Sequence, residues 1–215
     1  KLSAKSNTRQ HTRFTLKPLV FLLASLVFAP AEAQQYILKT GSDTIPSGST
    51  WISVGVGGEN SAIFVADTAT VSGNNITANS GAFERKVVGV WRGGRLTLTN
   101  SRINSTAGNT AGVSINDISA SAVGRSFLSL SNSSITTSGA GSMGFVINSM
   151  NNLDATVNRI VIDSVNINTL GDRVPSHSAH AFKIMRGGKA IISNSRFIAN
   201  TSGNAAQCSA QASDA

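Results

Sequence analysis

The sequence predicts an all-β protein, a right-handed parallel β-helix (a solenoid) of about five irregular coils, preceded by a signal peptide. Three observations support this prediction: a secretory leader, a repeat of short apolar–polar segments, and an unusual composition. Only 13% of the 215 residues are charged and 20 are glycines, whereas about 25% are charged in an average soluble domain. This composition excludes a charge-laced helical bundle and favours short strands joined by polar turns.

Residues 1–33 have the layout of a signal peptide. Five spaced cations precede the uncharged run LVFLLASLVFA at 19–29, and Ala31-Glu32-Ala33 predicts cleavage after Ala33. Eleven residues at about 1.5 Å each span about 17 Å, too short for a hydrocarbon layer of about 30 Å. We therefore expect secretion across the inner membrane and no transmembrane helix in the mature chain. The single Cys208 cannot form an internal disulfide, so packing must stabilise the fold.

Residues 59–199 repeat a pattern of β segments. RGGRLTLTNSRI at 92–103 returns at 186–197 as RGGKAIISNSRF. Weaker copies of the repeat fill the interval. In each copy an apolar residue is followed five positions later by a second one, and the pairs are Val71/Ile76, Leu98/Ile103, Leu130/Ile135, Ile162/Ile167 and Ile192/Phe197. The first members are predicted to form a core ladder: Val71, Leu98, Leu130, Ile162 and Ile192.

Stacking explains how such short units can fold. One repeat cannot bury its apolar side alone, but coils in register pair each strand in parallel with its equivalent and enclose a continuous core. The double glycines at 93–94 and 187–188 accept positive φ at a corner. Asn100, Asn132 and Asn194 share one repeat position, where they form either a stacked amide ladder or ordinary surface turns.

Four segments follow from this pattern. They are the signal peptide at 1–33, an N-terminal cap or lead-in segment at 34–58, the coils at 59–199, and a tail or the start of a truncated coil at 200–215. Trp51 is the candidate for covering the N-terminal end of the core. The end after Phe197 has no comparable cap, so we expect further coils to follow.

The leader, the Cys-poor body and repeats such as GRLTLTNSRI at 94–103 and NSSITTSGAG at 132–141 resemble the passenger of a pertactin-like autotransporter. The resemblance covers the leader and roughly residues 60–200. It implies a bacterial protein, at the cell surface or outer membrane or extracellular, that acts as an adhesin or virulence factor. It also implies a C-terminal outer-membrane β-barrel in the full-length protein, and the 215 residues contain no such barrel pattern.

No catalytic residue, metal site or cofactor is predicted. A β-helix lyase or glycosidase would cluster carboxylates on one face, whereas the acidic residues here occur singly, as at Asp117, Asp154, Asp163 and Asp172. The sequence has no G-x-S-x-G elbow for serine chemistry. His177 and His180 lie three residues apart in an expected loop, without an H-E-x-x-H pattern.

The candidate ligand-binding feature is a basic stripe. Its members hold equivalent repeat positions in pairs, Arg92 with Arg186, Arg95 with Lys189, and Arg102 with Arg196. Such a stripe attracts sulfated glycans or lipopolysaccharide through charge-assisted bonds, and solvated surface arginines are the alternative.

Adhesion to a host-cell surface protein or glycan is therefore the predicted role. A carbohydrate-active β-helix enzyme and a purely structural stalk are the alternatives. Half of the net charge of +8 lies in residues 1–33, and the remaining cations are scattered singly, so no nucleic-acid partner is predicted.

Overall fold

The structure is a computed structural model that describes residues 34–53, 61–81, 86–117, 126–149, 160–171, 179–185 and 190–199. The predicted signal peptide, the tail at 200–215, Arg186 and Lys189 lie outside these described residues. The described ranges are all-β and contain no helix long and apolar enough to cross a lipid bilayer.

Eighteen strands in the described ranges form three parallel sheets of six strands each. Sheet A contains β1 Tyr36–Leu38, β4 Ile63–Ala66, β7 Lys86–Trp91, β10 Ala111–Asp117, β13 Met143–Ser149 and β16 Phe182–Met185. Sheet B contains β2 Ser42–Ile45, β5 Thr70–Asn74, β8 Arg95–Thr99, β11 Phe127–Ser131, β14 Ile160–Asp163 and β17 Ala190–Ser193. Sheet C contains β3 Thr50–Ile52, β6 Thr77–Ser80, β9 Arg102–Ser105, β12 Ser134–Thr137, β15 Asn166–Thr169 and β18 Arg196–Ala199.

Each coil contributes one strand to sheet A, then one to sheet B, then one to sheet C. Each of the first fifteen strands pairs in parallel with the strand three elements later in the chain, as β8 does with β11. The predicted right-handed parallel β-helix is therefore confirmed, with three faces. The described residues form six coils rather than about five, because the segment expected as a cap or lead-in itself contains β1, β2 and β3.

The predicted core ladder forms a row inside sheet B. Leu98, Leu130, Ile162 and Ile192 are register partners in successive coils, and the first three are at most 1% exposed. Val71 lies one row away, opposite Leu96, although it is buried as well. Ile192 is 40% exposed in the sixth coil.

Gly73 explains the displacement of Val71 from the predicted ladder. It lies opposite Leu98, and a Cβ there would approach the side chains of Leu98 and Ile76 to 2.9 Å. The repeat pattern is defined by apolar side chains, and glycine has none. The prediction therefore assigned the ladder position to Val71, the nearest apolar residue on the same face, two positions before Gly73. The register of the second coil is therefore shifted by two residues from the predicted register.

The corner between sheets B and C uses the repeated Asn position. Asn75, Asn100, Asn132, Ser164 and Asn194 all have φ between 47° and 56°, a left-handed conformation that Asn tolerates better than most residues. The amides of Asn100 and Asn194 do not stack on equivalent amides. Asn100 donates to Asn74 Oδ1 (2.7 Å) and Asn194 to Asp163 Oδ1 (2.9 Å), and each acceptor is the last residue of the sheet B strand in the preceding coil.

The serine after each of three corner asparagines links one coil to the next. Ser101, Ser133 and Ser195 each donate a hydrogen bond from Oγ to the carbonyl oxygen two residues earlier, at 2.6–2.7 Å. Each hydroxyl also accepts a hydrogen bond from a backbone N–H of the preceding coil, as Ser133 does from Ser101 N–H (3.0 Å). The Asn-Ser dipeptide therefore both bends the chain and satisfies buried backbone groups at the bend.

The predicted double-glycine corner joins β7 to β8. Arg92 and Gly93 have φ values of 50° and 93°, and a Cβ on Gly94 would contact the backbone carbonyl of Val65. Both glycines are therefore required, the first by its conformation and the second by the close approach of the preceding coil.

The N-terminal end of the core is closed by two aromatic rings. Tyr36 and Trp51 pack edge to face with their centroids 5.3 Å apart, and each side chain is less than 10% exposed. Their polar tips are satisfied, because Tyr36 Oη donates to Asp43 Oδ2 (2.8 Å) and Trp51 Nε1 donates to Ser49 Oγ (2.7 Å). Burial, reinforced by the hydrogen bond to the Asp43 carboxylate, raises the pKa of Tyr36 above its ordinary value.

We expect alkaline pH to destabilise this end of the stack. The unfolded chain releases the Tyr36 proton near pH 10, whereas the folded chain holds it to higher pH, so the stabilisation is complete below pH 10 and is lost above it. Because Tyr36 is the only tyrosine, phenolate absorbance reports this residue alone. Urea unfolding of Tyr36→Phe should depend less on alkaline pH than that of the native chain, and titration of Tyr36 at its ordinary pKa would contradict the assignment.

Candidate functional site

The outer face of sheet C is the candidate functional site. Side chains alternate along its strands, so that the residue between each outward pair points into the core. The outward side chains of the second to sixth coils form two rows that run along the stack. The arginine row contains Thr77, Arg102, Ser134, Asn166 and Arg196, and the amide row contains Asn79, Asn104, Thr136, Asn168 and Ile198.

The arginine row carries two cations that face solvent. Arg102 and Arg196 are exposed and lie three coil steps apart in register, which corresponds to about 14 Å at about 4.8 Å per step. Within the described part of the chain, neither side chain has a hydrogen bond or an ion pair. The six strands of sheet C contain no Asp or Glu, so this face is locally positive.

The amide row adds neutral hydrogen-bonding groups beside the arginines. Asn104 Nδ2 donates to Asn79 Oδ1 at 3.1 Å, which orients both amides. Asn168 and Thr136 are half-buried, and their polar groups make no side-chain hydrogen bond among the described residues. An amide offers both donors and an acceptor, so this row suits a ligand rich in hydroxyl groups.

The other described members of the predicted basic stripe lie elsewhere. Arg92 is at the corner after β7, where its Nε donates to Asp67 Oδ1 (2.8 Å) and its second guanidinium contact reaches Oδ2 (3.3 Å). Arg95 lies on the outer face of sheet B, with its guanidinium 4.6 Å from the ring centroid of Phe127. The structure therefore places Arg102 and Arg196 in one row and separates Arg92 and Arg95 from them.

The acidic and histidine candidates are dispersed where the structure describes them. Asp163 is half-buried on sheet B, where hydrogen bonds from Ser193 (2.6 Å) and then Asn194 (2.9 Å) lower the pKa of its carboxyl. His180 is 8% exposed, and Asp117 ends β10. Asp154, Asp172 and His177 lie outside the described residues. Within the described ranges, no three His, Cys, Asp or Glu side chains are grouped as metal ligands.

The outer face of sheet A is packed around Phe64, in contrast to that of sheet C. Phe64 is fully buried there and packs edge to face on Trp91, with centroids 5.3 Å apart. Lys86 Nζ lies 4.3 Å from the centroid of the Trp91 ring. Gly89 leaves space for Phe64, because a Cβ at this position would lie 3.0 Å from the phenylalanine ring. The sheet A face is therefore closed around Phe64, whereas Ile37 on β1 of the same face is 45% exposed.

The sequence reasoning missed the amide row. Its members lie immediately after the inward residue of each sheet C strand, as Asn104 follows Ile103 and Asn168 follows Ile167. The sequence does contain a signal for this row, because a polar residue directly follows the second apolar residue of several repeats, as Asn104 follows Ile103. The prediction considered only charged residues, so it identified Arg102 and Arg196, which directly precede the same apolar positions.

Comparisons with protein-family models, with curated proteins and with solved structures find no match to this chain. The functional proposal therefore depends on the geometry and chemistry of the faces of the β-helix.

Proposed function

We propose that the chain is passenger material of an exported bacterial protein, and that it acts as an adhesin at the cell surface by binding through the outer face of sheet C. One observation carries the proposal. In the second to sixth coils the outward side chains of this face are polar except Ile198, its strands carry no carboxylate, and Arg102 and Arg196 face solvent in a single row. The expectation of export comes from residues 1–33.

The parallel stack suits a surface that contacts an extended ligand. Core packing and backbone ladders hold the outward side chains at a constant spacing of about 4.8 Å per coil. Rigid presentation lowers the ordering cost of binding, since few groups must be immobilised when the ligand arrives. Adhesion requires only such a surface and no reacting group.

A steric block tests this role without assuming the chemistry of the ligand. In a Cys208→Ser background, Thr136→Cys on sheet C and Thr97→Cys on sheet B place one thiol on each face for coupling to polyethylene glycol. Both threonines are half-buried, outward and in central coils, so the two variants are matched. Binding of the exported chain to host-cell monolayers should fall by about tenfold or more when Thr136→Cys is coupled, and little for Thr97→Cys.

Other outcomes would contradict the proposal. Equal binding by the two coupled variants would favour a purely structural stalk, with recognition supplied elsewhere. Cleavage of a glycan by the exported chain would favour the carbohydrate-active enzyme instead.

A further inference from the structure

We propose that the ligand of the sheet C face is a linear polyanionic glycan that lies parallel to the stack and pairs simultaneously with Arg102 and Arg196. This inference rests on the proposed function and specifies its ligand. The anionic groups are sulfates or carboxylates on the sugar chain, and neutral hydroxyl groups between them contact the amide row.

The orientation follows from the shape of the face. The two rows run along the stack and lie about 6–7 Å apart, because they are separated by two residues of each strand. Along the direction of a strand the face is only four residues wide. Along the stack it extends over the described coils. A chain that lies along the rows meets both arginines, and a chain that crosses them meets at most one.

The spacing of the arginines requires a polymer. The backbone positions of the two arginines lie about 14 Å apart, which exceeds the Debye length of about 8 Å at physiological ionic strength, so each guanidinium attracts its own anion. A single exposed charge pair contributes about 1 kcal/mol or less to binding. When one ligand spans both arginines, the second ion pair forms within the complex already made by the first. The affinity is then higher than that of either ion pair alone.

The residues between the arginines favour a glycan over other polyanions. Ser134 and Asn166 separate the two cations in the arginine row, and Asn104, Thr136 and Asn168 lie beside them. These hydroxyl and amide groups match the donors and acceptors of sugar hydroxyls. Single-stranded nucleic acid is bound by stacking its bases on aromatic rings, and no outward position of the sheet C strands carries an aromatic residue.

Heparin fragments of graded length test the inference on the exported chain. Affinity for the native chain should rise steeply, by about tenfold, at the shortest fragment that spans about 14 Å. Arg102→Gln and Arg196→Gln should each remove this step and leave weak binding that changes smoothly with length. The double variant should lose up to about thirtyfold in affinity for long fragments, and neutral dextran should bind equally weakly to all variants.

A matched pair of substitutions separates specific pairing from net charge. Arg95→Gln combined with Lys183→Gln removes two described cations from sheets B and A and leaves sheet C unchanged. This control should keep the length step and most of the affinity. An equal loss in the control would overturn the inference, because attraction by overall charge would then account for binding. Equal affinity for polyglutamate or single-stranded DNA of the same length would overturn it as well.

The cell-binding experiment distinguishes failure of this inference from failure of the proposed function. If polyethylene glycol on sheet C blocks adhesion while Arg102→Gln/Arg196→Gln binds cells normally, the face is an adhesive surface with a different ligand. If neither change affects adhesion, the proposed function fails. Circular dichroism of each variant checks that the exposed substitutions leave the stack folded.

Discussion

Replacing Leu130 with aspartate is expected to unfold the stack around its fourth coil. Leu130 is 1% exposed and lies between Leu98 and Ile162 in the core of sheet B. Removing a buried leucine forfeits about 1.5–3 kcal/mol of hydrophobic stabilisation. The carboxylate would have no cation in this row, and burying an unpaired charge costs several kcal/mol more. The sum is comparable with the total stability of a typical domain, about 5–15 kcal/mol.

Thermal and urea unfolding followed by circular dichroism measure this effect. Ser129→Asp is the matched control, because Ser129 is the preceding residue on the same strand and points outward. Ser129 is half-buried on the outer face, and the melting temperature of this control should change little, since a surface substitution typically alters stability by less than about 0.5 kcal/mol. Native-like melting of Leu130→Asp would place residue 130 outside the core and contradict the assigned register.

The core could be predicted wherever a coil presents an apolar side chain at the repeat position. Leu98, Leu130 and Ile162 were identified because burial on one face imposes a constant apolar pattern on each coil. The second coil was misaligned because Gly73 occupies the equivalent position. Close packing of Leu98 and Ile76 around a glycine is a property of three dimensions, and no sequence pattern records it.

The first coil was not predicted as a coil for a related reason. β1, β2 and β3 have only three or four residues each, too few to show a clear alternation. They cover the end of the stack, so Asp43 occupies a register position that is apolar in later coils, opposite Val71. At an end of the core a polar residue can occupy a position that must be apolar in the middle coils, so the apolar repeat used for prediction is weaker there.

The candidate site could be predicted only in part. Arg102 and Arg196 share one row because they hold the same repeat position and the register is regular between them. Arg92 lies at the corner before β8 and Arg95 is the first residue of that sheet B strand, so neither faces outward from sheet C. Their partners, Asp67 and Phe127, come from neighbouring coils. The coils differ in loop length, so the repeat pattern of one coil does not show which residue of a neighbouring coil contacts a given arginine.

The core and the candidate binding face on sheet C are two consequences of one register. The sheet C strands β9, β12 and β15 place Ile103, Ile135 and Ile167 inward and the two neighbours of each isoleucine outward. A slip of one residue in any coil would bury polar groups and expose an isoleucine, which the hydrophobic effect opposes. The packing that stabilises the solenoid therefore also sets the spacing of Arg102 and Arg196, so a variant that alters the register should also impair binding.

Replacing Gly139 with alanine is expected to destabilise the stack although it adds a single methyl group. Gly139 lies at the corner after β12, and a Cβ there would overlap the main-chain carbonyl of Ala107 in the preceding coil. Backbone atoms cannot rotate away as a side chain can, so the coils must separate locally. That movement would weaken the hydrogen bond from Ser138 N–H to the Ser105 carbonyl, now 2.9 Å. We expect a loss of about 3 kcal/mol, as for overpacking of a close-packed interior.

Gly81→Ala is the control for this effect, because Gly81 lies in the corresponding corner of the second coil. The nearest atom to a Cβ at Gly81 is Thr106 Oγ1, at 4.0 Å, which is an ordinary contact. Neither glycine has positive φ, so alanine can adopt both conformations. Gly81→Ala should therefore be neutral or stabilising by up to about 1 kcal/mol, because it reduces the entropy of the unfolded chain. Equal urea midpoints for the two variants would show that close approach of the coils does not select glycine at position 139.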